Sequence, residues 1–144
     1  MDYCDIKNPA EYTEKVERWS RQTDANGDEM GKVIEALVNN DNYLKKEVER
    51  QDNSVVVTLT VAGWSAAAPY AQRVEVPGVK ETDILRLYTH TPKTLSGDAV
   101  KLRRKMTAMI TDGEAKDGYV MFYCGEKKPT ADFPVKLVGV SANE

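Results

Sequence analysis

The residues best suited to metal chemistry lie in the first third of the chain. Asp24, Asn26 and Asp28 alternate with other residues, and Glu35 stands at the twelfth position counted from Asp24. Oxygen ligands at positions 1, 3, 5 and 12 are typical of a calcium-binding loop. Against calcium, Glu29 occupies the sixth position, where the sharp turn of such a loop requires glycine. We therefore interpret this stretch as a break before a helix, with Asp28 as the helix cap.

Nucleophilic catalysis has few candidates. His90 is the single histidine, so any serine–histidine or cysteine–histidine pair would have to use it. It is followed by Thr91 and Pro92 without a nucleophile motif, which indicates a polar loop residue. Cys4 and Cys124 lie in opposite halves of the chain and form no Cys-x-x-Cys, as is typical of reduced thiols. We expect no enzyme, no cofactor and no metal site.

A basic cluster raises the question of nucleic acid. The cluster consists of Lys101, Arg103, Arg104 and Lys105. Its members do not share one helix face, and the whole chain has a net charge of −3. A solvated helix face, or contact with an acidic neighbouring segment, explains the cluster better. No stretch reaches the roughly 18 apolar residues of a membrane span, so we expect neither nucleic acid nor membrane as a partner.

Two aromatic residues near a turn are candidates for binding a ligand. Trp64 and Tyr70 flank the segment Ser65 to Pro69. Aromatic rings that are exposed together could stack on a sugar. Packing of the same rings into a turn or a core is the competing interpretation.

These candidates are distributed over two unlike parts of the chain. Residues 1–53 are 34% hydrophobic and 40% charged, with a net charge of −5. Residues 54–144 are 45% hydrophobic and 24% charged, with a net charge of +2. We predict an N-terminal helical arm over 1–53, for attachment or oligomerisation, and a β-rich domain over 54–144.

The arm contains the clearest periodic element, a helix predicted over 29–52. Its seam, a line of residues at heptad spacing, consists of Met30, Ile34, Leu37, Asp41, Leu44 and Val48. One helix cannot bury such a stripe alone, so the seam must pack on the rest of the chain or on further copies. The polar stretch 39–42 suits a short oligomer with a wet or ion-filled layer. A shorter helix is predicted over 10–22 from the spacing of Tyr12, Val16 and Trp19.

The second part changes to a period of two, which indicates strands. Strands are predicted over 55–61, 70–76, 84–88, 118–125 and 133–140, with a helix over 99–110. The first two strands are predicted to form a hairpin, and residues 111–113 to end the helix. The class is therefore α+β, with a small, mostly antiparallel five-stranded sheet or open sandwich and one helix.

The same part resembles a small domain of structural proteins from phages and prophages of Firmicutes. Residues 57–65 read VTLTVAGWS, and residues 68–78 contain Ala-Pro-Tyr, Gln72 and a strand ending at Gly78. Residues 125–135 read GEKKPTADFPV, which is similar to the Lys-Pro-Thr-x-Asp-x-Pro close of that domain. The resemblance covers about residues 55–140.

The resemblance implies a non-enzymatic part of a phage or phage-like tail, such as a tail fibre or baseplate component. It places the protein in the virion tail after synthesis in the bacterial cytoplasm. The arm then resembles the stem of a homotrimeric fibre, and its apolar side chains would dock on other tail or baseplate proteins. These docking residues are Tyr3, Ile6, Tyr12, Val16 and Trp19. The alternative is a receptor- or glycan-binding module on the tail tip, with Trp64 and Tyr70 meeting a host cell-surface glycan.

Overall fold

A computed structural model of the chain describes residues 3–22 and 26–141. The elements are α1 (Gly27–Asp52), β1 (Ser54–Leu59), β2 (Tyr70–Glu75), β3 (Arg86–Thr89), α2 (Gly97–Thr107), β4 (Asp112–Lys116), β5 (Tyr119–Cys124) and β6 (Phe133–Val138). The predicted α+β class is confirmed, and the described strands number six rather than five. The chain divides into two compact units, Met1–Glu49 and Arg50–Glu144.

Helix α1 begins where an asparagine supplies the missing hydrogen bonds. The Asn26 Oδ1 accepts from the backbone N–H groups of Asp28, at 2.8 Å, and Glu29, at 3.1 Å. The first N–H groups of a helix have no partner inside it, so this cap stabilises the N-terminus. The predicted helix is therefore confirmed, but its cap is Asn26 rather than Asp28. Asp24 lies outside the described residues.

The helix predicted over 10–22 is wrong, because those residues that the structure describes contain no helix. Thr13 shows why: its N–H donates to the Asn40 Oδ1 at 2.7 Å, and its carbonyl accepts from the Asn40 Nδ2 at 3.0 Å. The backbone thus finds side-chain partners on α1 instead of partners within a local helix. An isolated helix of about this length is only marginally stable in water. The contacts with α1 therefore stabilise the non-helical segment more than a local helix would be stabilised.

The C-terminal unit is built from two antiparallel three-stranded sheets, in the orders β1-β6-β3 and β2-β5-β4. The predicted β1–β2 hairpin is therefore wrong. β1 pairs with β6, placing Leu59 opposite Phe133, and β2 pairs with β5, placing Gln72 opposite Phe122. The segment between β1 and β2 carries the chain from one sheet to the other. This lets both strands turn their apolar side chains inward, onto a core that contains Leu59, Val76, Val120, Phe122, Phe133, Val135 and Leu137.

The sixth strand, β4, lies where only a helix stop at 111–113 was predicted. It pairs with β5, so that Glu114 faces Met121 and Lys116 faces Tyr119. Its inward positions are held by Gly113 and Ala115. Because β4 has no large apolar residue, it lacks the alternating hydrophobic pattern from which a strand is predicted. Its charged residues are typical of a strand at the edge of a sheet.

The remaining elements differ from prediction only at their ends. β3 begins at Arg86, and Ile84 before it is exposed. α2 begins after Ser96, whose Oγ accepts from the Ala99 N–H at 3.3 Å, and ends at Thr107. Both shifts lie within the uncertainty of helix and strand ends read from sequence.

Candidate assembly interface

The seam of α1 is exposed along its length. Relative exposures are 39% for Met30, 51% for Ile34 and Leu37, 52% for Leu44 and 61% for Val48. Asp41 on the same line is exposed as well. An apolar line on one helix face is costly in water, so this is the surface with most to gain from a partner.

The opposite face of α1 is covered by the chain's own N-terminal segment, residues 3–22. Asn39, half a turn from the seam, is 4% exposed. Its Oδ1 accepts from the Lys7 N–H at 2.8 Å, and its Nδ2 donates to the carbonyls of Asp5, at 3.1 Å, and Glu35, at 3.0 Å. All of its amide atoms thus have partners.

Asn40 and an aromatic pair continue this contact. Asn40 bonds both backbone groups of Thr13, and the rings of Tyr12 and Tyr43 lie 5.6 Å apart, centroid to centroid. Asn39 and Asn40 are therefore occupied within the N-terminal unit. Of the polar stretch 39–42, Asp41 is the residue that lies on the seam.

The seam has the geometry of a coiled-coil contact. Taking Ile34 as an a position, the a residues are Ile34, Asp41 and Val48, and the d residues are Met30, Leu37 and Leu44. Side chains at a and d pack as knobs into holes between two or more parallel or antiparallel helices. The exposed stripe thus has the heptad spacing that such a contact requires.

The predicted docking residues lie on the N-terminal segment with unequal exposure. Tyr3 is 89% exposed and Ile6 62%, and Trp19 is exposed too. Val16 is half-buried, and Tyr12 is engaged with Tyr43. Docking on another protein stays a prediction for this segment, and Tyr3, Ile6 and Trp19 are its most accessible members.

Trp64 is buried in the core of the C-terminal unit. Its side chain is 4% exposed and belongs to the core cluster, so its ring has no open face for a sugar. Tyr70 is half-buried on the core face of β2, opposite Cys124. Packing, the competing interpretation of these two aromatic residues, is what the structure shows.

The residues on which the resemblance is based contact the turn that follows β1 in the C-terminal unit. Gln72 accepts from the Thr60 N–H at 3.0 Å and donates to the Thr60 carbonyl at 2.8 Å. Asp132 accepts from the Val61 N–H at 2.7 Å, and the Lys128 ammonium donates to the Trp64 carbonyl at 3.4 Å. The motif residues therefore support the turn after β1, and their contacts are structural.

The other candidates from the sequence show no convergent chemistry. The His90 carbonyl accepts from the Arg103 guanidinium at 2.8 Å. Lys101, Arg104 and Lys105 line a shallow depression. Within residues 3–22 and 26–141, no three histidine, cysteine, aspartate or glutamate side chains are grouped to hold a metal ion.

No helix in the described part of the chain is both long enough and apolar enough to cross a membrane. No family model, curated protein or solved structure matches the chain.

Proposed function

We propose that this chain is a non-enzymatic structural protein of a phage or phage-like tail, a fibre or baseplate component that self-associates through α1. The exposed seam of α1 carries the self-association part of the proposal. The tail assignment has its support in the resemblance of residues 55–140 to tail-module domains. Other tail or baseplate proteins are the proposed partners of the N-terminal segment, and the virion tail the proposed location.

Burial of the seam contributes to the driving force for association. Fully burying a large aliphatic side chain stabilises by about 1.5–3 kcal/mol, so half-exposed side chains have about 1 kcal/mol each left to gain. Five of them on each of several copies offset part of the cost of association, which is itself several kcal/mol. The expected assembly is therefore concentration-dependent rather than permanent.

The proposed number of copies is three, as the resemblance to fibre stems implies. Asp41 enters the seam at an a position and brings like charges together in a parallel assembly, so the layer would have to hold water or a cation. β-branched residues at a, here Ile34 and Val48, with leucine at d are the pattern that favours two parallel helices. The measured mass therefore decides between a trimer and a dimer built on the same seam.

The seam is tested on the full chain by sedimentation equilibrium. The double variant Leu37→Ser, Leu44→Ser is expected to be monomeric at concentrations where the wild-type chain associates. Glu49→Ser, at an exposed position of α1 away from the seam, is the control and is expected to retain the wild-type mass. A wild-type chain that stays monomeric at every concentration would remove the seam from the proposal.

Docking is tested separately in assembled particles. Trp19→Ala is expected to reduce incorporation of the protein, because a large exposed aromatic residue on a charged segment is a typical interface anchor. Thr13→Ala on the same segment, where the backbone groups make the contact, is the control. Unchanged incorporation of Trp19→Ala would show that the segment docks by other residues or not at all.

A further inference from the structure

A cavity of about 500 Å³ opens between the edges of the two sheets. β3 is the last strand of one sheet and β4 the last strand of the other, and residues of both strands line this cavity. At the opposite edges, β1 and β2 are connected through Gln72, which bonds both backbone groups of Thr60. The sheets are thus held together on the side of β1 and β2, and a cavity remains on the side of β3 and β4. We call it the edge cavity.

The lining of the edge cavity is continuous with the hydrophobic core. Its most deeply buried members are Val120 and Phe122 of β5 and Leu137 of β6, each of which is 2% exposed. Leu87 of β3 and Ile110, which follows α2, also line it and are only partly buried. The cavity therefore leads from solvent to the centre of the core through apolar side chains.

Small residues on β4 leave this space unfilled. Gly113 pairs with Phe122 and Ala115 pairs with Val120, so these two positions of β4 lie on the core side of the sheet. A Cβ added to Gly113 would meet no side chain within 4 Å, but only the Met121 carbonyl oxygen at 3.4 Å. Protein interiors contain few voids larger than a water molecule. A space of this size beside a packed core lies within the range of small-molecule binding sites, about 300–1,000 Å³.

The charges around the edge cavity favour an uncharged ligand. Asp83 and Asp112 are the ionised groups among the described residues that line it, and no lysine or arginine is one of these residues. Asp83 is already bonded to Ser141 and lies beside Arg50. An anion in the cavity would therefore meet no opposite charge, and burying a charge without a partner is costly.

The strands at the edges of the cavity favour a small molecule over a peptide strand. β3 has four residues and β4 has five. β4 also carries the charged residues Asp112, Glu114 and Lys116. Short edge strands with charged side chains are features that disfavour pairing with a further strand. The occupant is therefore expected to fill the space between the sheets rather than to extend one of them.

We propose that the edge cavity binds one uncharged, largely apolar small molecule per chain, in contact with Leu87, Ile110, Val120 and Phe122. Removal of the apolar surface of Leu87 and Ile110 from water drives the binding. Ile84, which also lines the cavity and is 81% exposed, adds to the apolar surface that the ligand can cover. The site lies wholly within the C-terminal unit, so the proposal does not rest on the seam of α1 or on the tail assignment.

The proposal is tested by titrating the full chain with N-phenyl-1-naphthylamine, an uncharged probe whose fluorescence rises in apolar surroundings. Saturable binding of one probe per chain is expected, with a Kd of about 10–100 μM. 1-Octanol is expected to displace the probe. Octanoate, which has the same chain length and a negative charge, is expected to displace it about tenfold less well or worse.

Variants that fill the cavity distinguish it from other apolar surfaces of the chain. Ala115→Leu places a larger side chain on the core side of β4 and is expected to weaken probe binding about tenfold or more, with an unchanged or raised unfolding temperature. Gly113→Val fills the same space from the neighbouring inward position and is expected to act in the same way. Glu114→Leu adds an apolar side chain to the exposed, opposite face of β4 and is the matched control, with wild-type affinity expected. Thermal unfolding confirms that each variant is folded.

The seam variant Leu37→Ser, Leu44→Ser is expected to bind the probe as the wild-type chain does, so failure of this proposal is distinguishable from failure of the seam. The absence of saturable binding would overturn the proposal, as would full binding by the folded filling variants. Better displacement by octanoate than by 1-octanol would show that the ligand class is wrong. Binding confined to the seam variant would show that another copy of the chain covers the cavity, which also excludes the proposed ligand.

Discussion

Asp83 is a buried carboxylate on which separate parts of the C-terminal unit converge. Its side chain is 2% exposed. It accepts from the Ser141 N–H at 2.8 Å, the Ser141 hydroxyl at 2.6 Å and the Lys80 N–H at 3.1 Å, and Arg50 lies 3.5 Å away. Burial alone would raise the pKa of Asp83, but these hydrogen bonds and the charge of Arg50 outweigh it and hold the pKa below 3.8. The carboxylate form thus joins the end of the last strand region to the loop before β3.

Asp83→Asn is expected to lower the free energy of unfolding by about 2–4 kcal/mol, because an amide cannot accept all of these hydrogen bonds. Asp52→Asn, at an exposed position, is the control and should change it by less than about 0.5 kcal/mol. Urea unfolding of both variants provides the measurement.

Asp83 also makes the free energy of unfolding depend on pH. Its pKa in the folded protein lies below the ordinary value of 3.8, so its contribution to stability is complete above that pH. It is lost as the pH falls through the folded pKa. Urea unfolding at a series of acidic pH values should show the wild-type and Asp83→Asn curves converging toward the acid end. Curves that stay parallel would show that Asp83 is not the group responsible.

Replacement of glycine by alanine is expected to have opposite effects on stability at Gly63 and at Gly31. A Cβ on Gly63 would overlap the Gln72 amide, which bonds both backbone groups of Thr60. Gly31 lies in α1 with nothing within 4 Å of such a Cβ. Gly63→Ala is expected to destabilise by about 1–3 kcal/mol, and Gly31→Ala to stabilise by about 1 kcal/mol. Thermal unfolding measures both signs, and a stabilised Gly63→Ala would contradict the role of Gln72.

At the scale of elements, the contact between α1 and the N-terminal segment depends on two asparagines. Asn39→Ala and Asn40→Ala together remove the partners of Lys7, Thr13 and Asp5 backbone groups. We expect the amides of Lys7 and Thr13 to exchange hydrogen at nearly unprotected rates in the double variant. Glu49→Ser serves again as the control, and protection that survives in the double variant would mean that Tyr12 and Tyr43 hold the segment alone.

The helices and strands also differ in whether they could be predicted from the sequence. α1 was predictable because its heptad stripe lies on one face, and β5 because its six residues are nearly all apolar. β4 was missed, since Gly113 and Ala115 give no periodic signal on its inward side. The pairing of β1 with β6 depends on contacts between residues 74 to 84 positions apart along the chain, which no local pattern encodes. The charged neighbours of β5 come from β2 and β4, whose pairing with β5 the sequence did not predict.

The two units of the molecule differ in how much apolar surface they bury. The buried hydrophobic residues of the described chain all lie in the C-terminal unit, and Asn39 is the one buried residue of the N-terminal unit. Residues 50–144 therefore have a core of their own, whereas α1 leaves an apolar seam exposed, the surface that we propose a second copy covers.

Thermal unfolding is accordingly expected in two steps. The helical step, followed by far-ultraviolet circular dichroism, should move to higher temperature as protein concentration rises. The step of the sheets, followed by the fluorescence of the buried Trp64 in a Trp19→Phe background, should not move. Leu37→Ser, Leu44→Ser should abolish the concentration dependence and leave the second step unchanged. A single transition at all concentrations would show that the two units unfold together.

The asparagine contacts have a consequence for how this protein can change over time. Asn39 and Asn40 bond the main chain of the N-terminal segment, and every amino acid except proline offers the same main-chain groups. Mutations at most positions of the segment therefore leave its attachment to the helix intact. Exposed side chains of the segment can therefore be substituted during evolution, which changes the surface offered to other proteins. The hydrogen bonds that hold the segment on α1 remain the same.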